Sequence, residues 1–157
     1  MIDAPVTSLT LDQAARDLLE PEIAALLAGV SPESQGRWQG LRTAVAAGSV
    51  PAVHLDALEQ LLVMGIETGR FERAQGRAAD TLARGVYART PGGRARAQQA
   101  ETVNGALEAL AGSVLESVRF APDGPTGCRI TLETGRGEVS LRIDRQGIRL
   151  ESVGVGG

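Results

Sequence analysis

Apolar side chains recur at helical spacing through most of the chain and at alternate positions near its C-terminal end. Thr10-Leu11-Asp12-Gln13 has the form of a capping box with Thr10 at the cap, opening a helix whose apolar face includes Ala14, Ala15, Leu18 and Leu19. Pro21 kinks or restarts that helix, and Ile23, Leu26 and Leu27 carry it to Gly29. Ser31-Pro32-Glu33 repeats the start signal, and Trp38, Leu41 and Val45 form one stripe that Gly48 closes. A third start at Ser49, before Pro51, opens a helix striped by Leu55, Leu58 and Leu62, with Leu61 and Ile66 alongside, ending at Gly69. From Arg70 to Arg89 the stripe is Phe71, Ala74, Ala78, Leu82 and Val86, and Arg89-Thr90-Pro91-Gly92-Gly93-Arg94 breaks it. Val103, Leu107, Leu110, Val114 and Val118 then follow a near-heptad seam that Ala100 extends backwards. Helices over 70–89 and 94–118 are therefore expected to form a long antiparallel hairpin.

Pro122-Asp123-Gly124-Pro125-Thr126-Gly127 ends helical structure, and the pattern changes to period two. Ile130 and Leu132, then Val139, Leu141 and Ile143, then Ile148 and Leu150 predict three strands of an antiparallel meander over 128–153. The phase slips after Leu150, because Val153 and Val155 no longer match it, so a bulge or the strand's end falls there. Keeping the apolar side chains on one face pairs Leu132 with Val139 and Leu141 with Leu150. Arg129 then faces Arg142, and Arg142 faces Arg149. Like charges opposed across strands repel, so such a row is either an anion or acidic-partner site or is neutralised by Asp144 and Glu151 on the diagonals.

Charge divides the chain differently. Residues 1–69 carry a net charge of −6, residues 70–97 one of +5 and residues 98–157 one of −2, within an overall −3. At 100° per residue Arg70, Arg73, Arg77 and Arg84 fall within about 60° of each other, giving the helix an arginine face. That face could grip an acidic protein surface or follow a phosphate backbone, or it could pair with the acidic segment 1–69. All sixteen basic residues are arginine. The absence of lysine excludes a Schiff-base or phosphate-loop lysine. One histidine and one cysteine leave no intramolecular disulfide and no plausible zinc-ligand set. Aromatic side chains make up 3% of the chain, too few for the stacking platforms that single-stranded nucleic acid requires.

The remaining chemistry is sparse. His54 sits in a helix's first turns with no nucleophile tied to it, and Cys128 starts a strand without a second thiol. Pro91-Gly92-Gly93-Arg94 precedes a helix and could hold an anion, although a linker explains it equally well. Glu101, Glu108 and Glu116 are spaced as a solvated flank. The apolar runs are too short to span a bilayer and no secretory leader is visible, so the expected location is the cytoplasm, with no membrane partner.

These patterns predict an α+β chain read as one domain over 1–157. It comprises an acidic helical part (1–69), a helix hairpin (70–118) and a β-meander (128–153). By elimination the expected function is that of a non-enzymatic interaction protein, a self-associating adapter or chaperone-like subunit without cofactor or metal. Val103, Leu107, Leu110 and Val114, together with an exposed strand edge, would mediate homo-oligomer assembly. Arg70, Arg73, Arg77 and Arg84, or Arg129, Arg142 and Arg149, would bind an acidic protein partner. The alternative is a nucleic-acid-binding or regulatory protein that uses the arginine-rich helix face on phosphates.

Overall fold

The computed structural model describes residues 7–155 and has an α+β architecture. The chain divides after Arg94 into two compact units. The first contains β1 (Ser8–Thr10), α1 (Gln13–Gly29), α2 (Pro32–Ala46), β2 (Ser49–Pro51), α3 (Ala52–Glu67), α4 (Arg70–Gln75) and α5 (Arg77–Ala88). The division falls within α6 (Pro91–Glu108). The second unit continues with β3 (Leu115–Pro122), β4 (Cys128–Thr134), β5 (Gly137–Asp144) and β6 (Gly147–Val155).

In the first unit the amphipathic stripes of α1, α2 and α3 converge on one core that includes Leu19, Ile23, Leu41, Leu58, Leu62 and Phe71. The cap of α1 is Asp12 rather than Thr10: its Oδ1 accepts the Ala15 N–H at 2.8 Å, while Thr10 ends β1. Pro21 sits inside α1, which runs through it without interruption. The start signal at Ser49 turns out to be β2, antiparallel to β1, with the buried Leu9 opposite the buried Val50. Neither short strand has the length that alternation needs to be visible in sequence. Gly48, at φ +76°, closes α2, and its carbonyl takes the Leu11 N–H, tying the mini-sheet to the helices.

The predicted helix over 70–89 is two helices. Gly76, at φ 88° and ψ 173°, adopts a backbone conformation open essentially to glycine, and it separates α4 from α5. The break also shifts the phase of the stripe. Phe71 is buried on α4, but on α5 the buried positions are Ala79, Ala83 and Val86, not Ala78. Phe71 reaches its site because Gly65 of α3 has no side chain: a Cβ there would collide with the ring.

The second predicted arm, 94–118, is also corrected. Helix α6 stops at Glu108, turns follow, and Gly112 at φ +74° precedes a fourth strand, β3. Val118 and Phe120 alternate with Ser117, Arg119 and Ala121, and this period-two signal competes with the four-residue step from Val114 to Val118. The helices expected over 70–89 and 94–118 are therefore both shorter than the hairpin reading requires, and the meander has four strands in the order β3-β4-β5-β6, all neighbours antiparallel. Leu132 pairs with Val139, and Leu141 with Leu150. The register shifts between Ser140 and Leu141, leaving Glu151 as the extra residue of a β-bulge just after Leu150, where the apolar phase slips. Val103 of α6, with Val139 and Leu141, forms the second unit's core, and Leu107, Leu110, Ile148 and Leu150 pack around it.

Candidate functional site

The arginine row lies across the sheet, with Arg129 opposite Arg142 and Arg142 opposite Arg149. Each member has carboxylate partners. Arg129 Nε donates to Glu151 Oε2 at 2.5 Å, and Arg149 Nη2 to Asp144 Oδ2 at 2.5 Å. Arg142 Nε lies 2.9 Å from Asp123 Oδ2 and 3.4 Å from Asp144 Oδ2, ion pairs without hydrogen-bond alignment. Arg119 on β3 continues the charged face, 3.4 Å from Glu133 and 3.5 Å from Glu138.

The interlocking is visible in the acid–base equilibria. The hydrogen bond from Arg129 holds the Glu151 carboxyl below its usual range, and Glu151 in turn raises Arg129. Asp144 is held low first by the backbone N–H of Gln146, which donates to its Oδ1 at 2.8 Å, and then by Arg149 and Arg142. At one end of the sheet Asp123, Arg142, Asp144, Arg145 and Arg149 border an open cleft of about 330 Å³ in which both signs of charge are present.

The arginines of the predicted helix face are divided by Gly76 and engaged separately. Arg70 forms an ion pair with Glu22 of α1, whose side chain is 8% exposed. Arg73 donates to the carbonyls of Thr68 and Gly69, at 2.8 and 3.4 Å, supplying donors to the C-terminal end of α3. Arg84 Nε bonds Asp80 Oδ2 at 2.7 Å one turn away, while Arg77 reaches Glu72 only at 3.9 Å. Local pairing of this kind is not encoded by helical angle, which is why the sequence showed a continuous face.

The anion-binding possibility at the start of α6 has an internal occupant. Thr90 caps the helix, its Oγ1 accepting the Gly93 N–H at 3.2 Å, and the Glu59 carboxylate accepts the Gly92 N–H at 2.9 Å. Gly92 permits this approach, since a Cβ there would overlap Glu59. His54 packs its ring against Gly40. Cys128 is a half-buried free thiol. Among the described residues no cluster of three or more His, Cys, Asp or Glu side chains could hold a metal, and no helix is long and apolar enough to cross a membrane.

Of the four residues assigned to self-association, Val103, Leu107 and Leu110 face the sheet of their own unit, so their apolar surface is used internally. Val114 lies between α6 and β3, outside any helix, and is 80% exposed. The seam thus covers the β5–β6 half of the sheet. On the other half Val118 pairs with Leu132, and Phe120 with Ile130, yet Val118 and Phe120 remain 46% and 71% exposed. In the sequence this surface is masked because the helical step from Val114 to Val118 competes with the period-two signal of β3. No protein-family model, characterised protein or solved structure matches this chain.

Proposed function

We propose that this chain is an interaction protein whose contact surface is the β3 half of its meander. The observation that carries the reading is Phe120, a large aromatic side chain left 71% exposed on an edge strand, with the exposed Val118 and Leu115 on the same strand. An unpaired edge presents backbone donors and acceptors to an incoming strand, and an apolar strip beside it supplies the burial that makes such pairing favourable. The arginine groups give less support to an acidic partner or to phosphate recognition. Arg70, Arg73, Arg84, Arg129, Arg142 and Arg149 all have partners within their own unit, so binding there would have to displace existing ion pairs or hydrogen bonds.

The test is the replacement Phe120→Ser in the full chain, followed by assembly measured by light scattering and by binding to candidate partners. An aromatic anchor at an interface centre is worth on the order of 2 kcal/mol, so contact should weaken about thirtyfold with the circular dichroism unchanged. Unaltered assembly and binding would remove β3 as the contact surface. Retention of DNA or RNA at low salt, released steeply as salt rises, would instead favour phosphate recognition.

A further inference from the structure

If β3 is the contact surface, its own sequence specifies what it pairs with. The strand is framed at both ends by features that discourage pairing. The register shift between Leu115 and Ser117 makes Glu116 a bulge, and Pro122 closes the strand with a residue that has no N–H to give. Between them lies Ser117-Val118-Arg119-Phe120-Ala121, whose pattern is small, apolar, arginine, apolar, small. This order reads the same in both directions. An antiparallel copy related by a two-fold axis through Arg119 would set Val118 against Phe120 and Ser117 against Ala121, keeping the apolar side chains of both strands on one face.

Charge leaves this arrangement tolerable. The axis brings two Arg119 guanidinium groups together, which by itself is unfavourable. Each copy, however, holds Glu133 and Glu138 at 3.4 and 3.5 Å from its Arg119, two carboxylates for one cation. The two guanidinium groups at the axis are therefore flanked by four carboxylates and do not meet as bare cations. Moving the axis to Val118 puts the bulged Glu116 opposite Phe120, and moving it to Phe120 puts Pro122 opposite Val118. The sheet's other edge, β6, is interrupted along its length by the bulge at Glu151, so it offers no comparable window.

We infer that the partner of β3 is a second copy of this chain, paired antiparallel about Arg119 so that two meanders join into one continuous sheet. The inference rests on the reading of β3 as the contact surface and adds the identity of the occupant and its register.

The experiment uses the full chain carrying Cys128→Ser, so that any introduced thiol is the only one. Under mild oxidation Arg119→Cys should yield a covalent species of twice the 16.3 kDa chain mass, because a residue on a two-fold axis meets itself. Thr126→Cys, on the exposed loop after β3, should not. In parallel, light scattering of the native chain over micromolar to millimolar concentration should show a monomer–dimer equilibrium that Phe120→Glu weakens about thirtyfold or more. If Phe120→Glu failed to fold, the oxidation pair would still decide the matter.

A native chain that stays monomeric throughout overturns the inference, as does a dimer that neither Phe120→Glu weakens nor Arg119→Cys traps. If that monomer still binds another protein in a Phe120-dependent way, only the identity of the occupant has failed. If it binds nothing through β3, the proposed contact surface has failed with it.

Discussion

Glu151 and Asp144 show how single side chains make an otherwise repulsive row tolerable. Both carboxyls are held below their ordinary range in the folded chain, Glu151 first by Arg129 and Asp144 first by the Gln146 N–H. A depressed folded-state value means that the unfolded chain takes up protons first. The stabilisation is therefore complete above the unfolded carboxylate range near pH 4 and disappears as pH falls through the lower folded-state values. The melting temperature of the native chain should accordingly fall below about pH 4, and Glu151→Gln with Asp144→Asn should flatten that acid limb. Thermal unfolding followed by circular dichroism between pH 2 and 7 checks this on the scale of the carboxylate titration. Identical slopes for the native and doubly substituted chains would mean that these two groups do not govern the acid response.

At the scale of elements, α4 and α5 show what one glycine changes. A continuous arginine face would make its members interchangeable, whereas the break at Gly76 gives them different environments. Arg70 neutralises Glu22, a carboxylate that is nearly buried, while Arg77 is 91% exposed and sits 3.9 Å from its partner. Truncating Arg70 leaves a buried charge uncompensated. Arg70→Ala should cost about 1–3 kcal/mol and Arg77→Ala less than about 0.5 kcal/mol, read from urea midpoints at constant slope. Equal losses would contradict the unequal roles of the two residues. Helices α2 and α3 were legible because three or more apolar residues repeat on one face and glycine follows their ends. The break at Gly76 was not, because glycine inside an apolar period is compatible with either a continuous helix or a left-handed break. Strand β3 is hidden for a related reason: Val114 and Val118 are four residues apart, which satisfies both periods, and the heptad seam preceding them continues the helical one.

The whole molecule consists of two compact units with separate cores, one centred on residues such as Leu19, Leu58 and Phe71, the other on Val103, Val139 and Leu141. The contrast in core size has a consequence. Residues 1–94, expressed alone, should fold cooperatively and retain helical circular dichroism, while residues 95–157, with a small core and an uncovered strand, should be marginal on their own. Thermal unfolding of the two fragments tests this. Loss of structure in the 1–94 fragment would show that its core needs the rest of the chain.

The sequence by itself determined most of the local structure and one long-range feature. Helical stripes located α1, α2 and α3, and the alternation from Cys128 onward determined β4, β5 and β6. Because a half-buried strand cannot slip by one residue without turning its apolar side chains outward, alternation also set the register that aligns Arg129, Arg142 and Arg149. What only the tertiary structure decided was which surfaces are used up. Glu22 occupies Arg70, Glu59 occupies the start of α6, and Val103, Leu107 and Leu110 close over one half of the sheet while Phe120 stays uncovered on the other. Periodicity describes the faces of a single element, whereas occupancy depends on residues distant in sequence that folding brings within a few ångströms.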